Sequence, residues 1–145
     1  MAKSSWNYRS VIFKEGEEAQ KLYLVKSGEV ICLKASKDRL IPIFIAREGD
    51  IIGEAAMTPG APYSYSTICL DSSELHEISA ISFTQVFNQA PEWVSQLMTT
   101  MISRFQSTSV LIAENRVIDS SIISEDFYSP LIENDFKKLL SNKTE

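Results

Sequence analysis

The chain has 145 residues, of which 44% are hydrophobic and 23% charged, and its formal net charge is −5. That length suits one domain with a real core, without help from metals or disulfides, and the composition excludes a disordered chain. The acidic balance argues against general binding of nucleic-acid phosphates.

Taken in chain order, the N-terminus MAKSSWNYRS has no apolar run behind its lysine, so no signal peptide is expected. Residues 10–80 read as β. Strand candidates lie at 11–13, 22–26, 29–35, 40–47, 65–70 and 74–79, rich in Ile, Val, Leu and Tyr and separated by turn signals. Ser27-Gly28 joins two of them at hairpin spacing. Short strands at this frequency predict a sandwich or barrel rather than alternating βαβ units. The longest apolar stretch, residues 41–46, is too short to span a bilayer. Cys32 and Cys69 fit neither a disulfide framework nor zinc-ligand spacing, and both are expected as small buried thiols in a cytoplasmic protein with no membrane partner.

Residues 81–89 predict a short helix, and Pro91 opens a long one over 91–118. Along it Val94, Met98, Met101, Phe105, Thr108 and Ile112 follow a three-four repeat. A stripe that long predicts a dimer seam against a second copy; the alternative is a helix that ends early and lies on its own sheet. Residues 119–125 read as a linker. Ser129-Pro130 opens a tail helix with Leu131, Ile132, Phe136, Leu139 and Leu140 on one side. That stripe could dock on its own domain, on the dimer mate or on a different protein. The division predicted is thus 1–118, a domain including its long helix, and 119–145, a linker plus tail.

Nothing resembles an active site or a metal centre. His76 stands alone in a strand pattern, with no nucleophile elbow elsewhere. There is no P-loop and no Gly-x-Gly-x-x-Gly. No catalytic activity and no metal are expected. One stretch stands out, Gly49-Asp50-Ile51-Ile52-Gly53-Glu54-Ala55-Ala56-Met57: a tight turn feeding a short helix, where glycine lets backbone approach a ligand and Glu54 could accept from a ribose hydroxyl.

Together with Phe13-Lys14-Glu15-Gly16-Glu17-Glu18-Ala19 and Leu22-Tyr23-Leu24-Val25-Lys26-Ser27-Gly28-Glu29-Val30, that stretch resembles the cyclic nucleotide-binding domain family from about residue 8 to residue 118. The resemblance implies an eight-stranded antiparallel β-roll flanked by short helices, with a long C-terminal helix like the dimerisation helix of the catabolite activator subgroup. It implies a phosphate-binding cassette in which Gly53, Glu54 and Ala55 face the ligand, Glu54 holding the ribose hydroxyl. The arginine expected to pair with the cyclic phosphate falls on Tyr63, with Ser64 after it; a one-residue gap leaves Ser64 or Tyr65 as other choices for the slot, and none is an arginine. Thr108-Ser109 matches the pair that reaches the adenine in the catabolite activator, or else makes a small polar notch at a helix contact. Tyr63 and Tyr65 could stack on a base or pack against the roll.

From Glu48 to Ser103 there is no Lys or Arg, while seven acids occur: Glu48, Asp50, Glu54, Asp71, Glu74, Glu77 and Glu92. Removing one partner from a buried charge pair costs roughly 3–5 kcal/mol. Weak or absent affinity for cAMP and cGMP follows, and no other cofactor is expected. The predicted role is a non-catalytic regulatory module with a degenerate cassette, a homodimer that contacts another signalling protein. The alternative is a genuine sensor of cAMP, cGMP or a cyclic dinucleotide. The resemblance to catabolite activators also predicts a DNA-reading module, but the 27 residues after Ile118 are too few for one, so no DNA partner is expected.

Overall fold

A computed structural model describes residues 2–116 and 118–141. Among these, seven strands form two antiparallel sheets. The first sheet holds β1 (Ala2–Trp6), β7 (Ser73–Ser79), β2 (Lys21–Ser27) and β5 (Ile51–Ile52), in that spatial order. The second holds β4 (Arg39–Ala46), β3 (Val30–Ser36) and β6 (Ser66–Cys69). Two antiparallel sheets closing over one interior make the expected roll.

The count is seven strands, not eight. Residues 11–13 run beside β6 without forming a ladder. Val11 makes an isolated bridge to Ile68, and Phe13 N–H donates to the Thr67 hydroxyl at 3.3 Å rather than to a carbonyl. Ile12 N–H takes the Thr67 carbonyl at 3.2 Å and Thr67 N–H donates to the Phe13 carbonyl at 3.1 Å, so two residues face one and the regular ladder breaks as at a bulge. β1 and β5 were not foreseen. β1 is polar and half exposed and gains its order from pairing with β7; β5 is two residues long, too short for any periodicity.

Strand β3 explains the architecture. Val30, Ile31, Cys32 and Leu33 are all fully buried, which requires cover on both faces. Val30 and Cys32 join Phe13, Val25, Ile52, Tyr65 and Leu75 inside the roll. Ile31 and Leu33 face outward with Leu40 and Ile68, and there Ile123, Tyr128 and Phe136 of the tail cover them. Both cysteines are buried and unbonded to each other, as expected; burial pushes the Cys69 thiol up to about 11.

Helix α1 (Ala80–Phe87) is capped by the Ser79 hydroxyl, which accepts from Ser82 N–H at 3.1 Å. Helix α2 covers Glu92–Asn115. It is shorter than the predicted 91–118. Arg116 turns left-handed at φ 54° and its N–H bonds the Ala113 carbonyl, which ends the helix; Val117 lies outside the described residues. At 24 residues, α2 is about 36 Å long. Helix α3 (Pro130–Ser141) begins where Ser129-Pro130 predicted and lies back on the second sheet; residues 142–145 lie outside the described ones. Ile132, Phe136, Leu139 and Leu140 pack there, whereas Leu131 is exposed. No helix among the described residues is long and apolar enough to cross a membrane.

Candidate functional site

The cassette begins where β5 ends. Gly53 takes φ 80°, a left-handed turn that hands the chain to a single-turn 3-10 helix, Glu54–Met57. A Cβ at Gly53 would sit 3.0 Å from the Lys21 carbonyl and 3.2 Å from the Tyr63 ring, so backbone and space both demand glycine. Ala55 and Ala56 are buried beneath the turn. Glu54 is half-buried above them, and its burial raises the carboxyl above the usual range, offset in part by the Tyr65 hydroxyl.

Tyr65 decides what the cassette contains. It is 1% exposed. Its hydroxyl donates to Glu54 Oε2 at 2.6 Å and accepts from Gly53 N–H at 2.9 Å. Its ring meets Phe44 of β4 at 5.5 Å and Phe105 of α2 at 6.0 Å, both edge-on, and those two rings meet each other at 5.3 Å. An aromatic side chain therefore fills the space between the cassette turn, β4 and the long helix. Over this plug lies a cleft of about 350 Å³, walled by Phe44, Met57, Met101, Ile102 and Phe105, with Asp50 and Glu54 as its charged groups. No base lines it.

The remaining predicted site residues are dispersed. Tyr63 turns away from the cleft. It stacks on Phe13 at 3.9 Å, and its hydroxyl donates to the Lys21 carbonyl at 2.6 Å. Ser64 Oγ and Glu54 Oε1 are both buried and have no hydrogen-bond partner among the described residues. Ser109 is buried, with its hydroxyl donating to the Phe105 carbonyl at 2.8 Å, and Thr108 is exposed; neither lines the cleft. His76 pairs in β7 with Lys3 and Leu24 and also stays outside it. Of the seam residues, Phe105 and Ile112 pack on the chain's own roll. Val94 and Met98 are half-buried and Met101 is exposed. The exposed apolar line runs instead through Trp93, Leu97, Met101 and Leu111.

Neither arginine that flanks the base-free stretch fills the missing slot. Arg47 pairs with Glu29 at 3.0 Å, and Arg104 is exposed on α2. The base that does approach is Lys34, which sequence reasoning missed. Its ammonium donates to the Ser64 carbonyl at 2.7 Å and to Glu15 at 3.3 Å. A signal existed: Lys34 follows Val30 and Cys32 at a period of two, so its register places a charge on the inward face of β3.

The model of the cyclic nucleotide-binding domain matches residues 5–90. The chain belongs to the cyclic nucleotide-binding domain family. Among curated relatives, the cAMP-activated global transcriptional regulator CRP of Salmonella typhimurium is 26% identical over 113 residues, covering 77% of this chain and 54% of that protein. The chain spans about half the length of the curated relatives it matches. Among solved structures, the EAL enzyme Bd1971 in its cAMP-bound form aligns with TM-score 0.67 and 24% identity, over 74% of this chain and 29% of that one. The catabolite activator protein of Thermus thermophilus aligns with TM-score 0.64 and 19% identity, over 75% and 52%. At these identities the structural matches carry the fold alone. They agree with the roll followed by a long helix.

Proposed function

We propose that this protein is a non-catalytic regulatory module of the cyclic nucleotide-binding fold whose cassette is closed by its own Tyr65, and that it acts through contacts with other proteins. One observation carries the reading: the Tyr65 hydroxyl occupies both Gly53 N–H and Glu54 Oε2, the groups that the family resemblance assigns to a ligand. Charge supports it. A cyclic phosphate would meet Asp50 and Glu54 in the cleft and no base among the described residues, and neutral donors worth about 1 kcal/mol each offset little of that. The exposed line Trp93, Leu97, Met101 and Leu111, with Thr108 between, supports a homodimer along α2. This seam is turned by about one residue from the predicted one, because Phe105 and Ile112 are committed to the roll. Residues 1–118 then form the family module and 119–145 an accessory tail. Calorimetric titration with cAMP, cGMP and cyclic di-GMP tests the reading. No saturable heat is expected up to about 1 mM, and saturation in the micromolar range would overturn it.

A second reading is favoured by the two buried atoms without partners, Glu54 Oε1 and Ser64 Oγ. If Tyr65 swings out, these would offer an acceptor and a donor to a cyclic nucleotide or dinucleotide, and the same titration would then show saturation.

A further inference from the structure

Where α3 meets the turn between β3 and β4, a cleft of about 440 Å³ opens, and it shares no residue with the cassette cleft. Its charge is the reverse of the cassette's. Among the described residues, Lys14, Lys37, Arg39 and Lys137 line it against two acids, Glu15 and Asp38. Glu15 is already engaged: Lys34 donates to it at 3.3 Å and Ala35 N–H at 3.0 Å. Glu133 holds Arg39 through Nε at 2.8 Å. Lys137 reaches across to the Asp38 carbonyl and ties α3 to the turn. Lys37 stands exposed on that turn at φ 57°, and its ammonium makes no ion pair or hydrogen bond among the described residues. A chain of net charge −5 thus gathers a positive excess in one concave place.

The neutral lining completes a pattern. Ser66 Oγ accepts from Glu15 N–H at 2.8 Å, which leaves its proton free to donate. Leu40 and Leu140 supply apolar wall. The carbonyl end of α3 lies at the rim and opposes an anion; Lys137 and Lys138 offset it. We infer that this cleft binds a small phosphomonoester carried on a compact apolar body. A phosphomonoester carries close to two negative charges near neutral pH, lysines bind phosphate as point charges, and the volume is that of a small-molecule site. Since one wall is the roll and the other is α3, the ligand binds the docked tail and holds it down.

The test is a methyl NMR titration of the full chain with phenyl phosphate, with inorganic phosphate and benzyl alcohol as parallel arms. Saturable shifts at the Leu40 and Leu140 methyls are expected, with a dissociation constant of about 1 mM or tighter, weakening as salt is added. Lys37→Asn keeps the left-handed turn, which asparagine tolerates, and is expected to weaken binding at least about fivefold. Inorganic phosphate should bind more weakly and benzyl alcohol not saturably. Absence of saturation by about 10 mM phenyl phosphate, unchanged affinity in Lys37→Asn, or shifts confined to Met57 and Met101 would overturn the inference. Equal affinity for inorganic phosphate would overturn the ligand class.

Discussion

Glu133 and Arg39 lie 94 residues apart in the chain and 2.8 Å apart in space. Glu133 is 7% exposed, and its carboxylate accepts from Arg39 Nε through both oxygens, at 2.8 and 3.2 Å, and from Leu40 N–H at 3.0 Å. Five residues before it, the Tyr128 hydroxyl donates to the Leu40 carbonyl at 2.5 Å. The tail therefore satisfies both backbone polar groups of a buried residue at the start of β4.

Glu133→Ala should destabilise the protein by about 1–3 kcal/mol, because it strands the buried Leu40 N–H. Glu133→Gln, which keeps an acceptor, should lose less. Arg39 is about a third exposed, so Arg39→Ala should also lose less than Glu133→Ala. Urea unfolding followed by circular dichroism measures all three, and Arg39→Ala proving the most damaging would contradict this account.

Tyr65→Phe removes one hydroxyl and leaves two groups unpaired, Gly53 N–H and Glu54 Oε2. We expect a loss of about 1–3 kcal/mol with the ring packing retained. The Glu54 carboxyl should titrate higher still, since the Tyr65 hydrogen bond lowers it in the native protein. Carboxyl-carbon NMR of the variant reads that shift directly.

Burial raises the Glu54 carboxyl above its unfolded value. Between the two values the native state holds more proton than the unfolded state, so stability falls as pH rises through that window. Glu54→Gln removes this penalty while keeping an acceptor for Tyr65. The variant should match or exceed the wild type in stability at pH 7, and the difference should shrink towards pH 4. Thermal melts at both values check the sign.

At Gly53 a side chain meets two obstacles at once. The backbone is left-handed, and the Lys21 carbonyl lies 3.0 Å from any Cβ. Gly53→Ala should therefore cost at least about 1–2 kcal/mol. The same change at Gly49, which has nothing within 4 Å of its Cβ position, meets only the backbone part of that cost and should lose less. Comparing the two variants by denaturant midpoint separates strain from collision.

Leu97→Glu combined with Met101→Glu places charge on the exposed line of α2 without touching the core. Light scattering should find the wild type at twice the chain mass and this variant at one. A monomeric wild type would remove the α2 seam from the proposed function.

Much of this protein follows from local chemistry that a sequence displays. Turn glycines, alternating apolar strands and the run Gly49–Glu54 place the roll and its cassette, because hydrophobic period and positive φ are properties of short segments. The start of α3 at Ser129-Pro130 was legible for the same reason. Which side chains share a space is settled instead by long-range packing. Tyr63 and Tyr65 are two residues apart and look alike in the sequence. One stacks on Phe13 below the turn, and the other fills the cassette between Phe44 and Phe105. Lys34, Glu15 and Ser64 come together from three separate segments. The double burial of Ile31 and Leu33 makes sense only once a tail about 100 residues later covers them. Such contacts depend on how far-apart segments close over one another, and no local pattern records that.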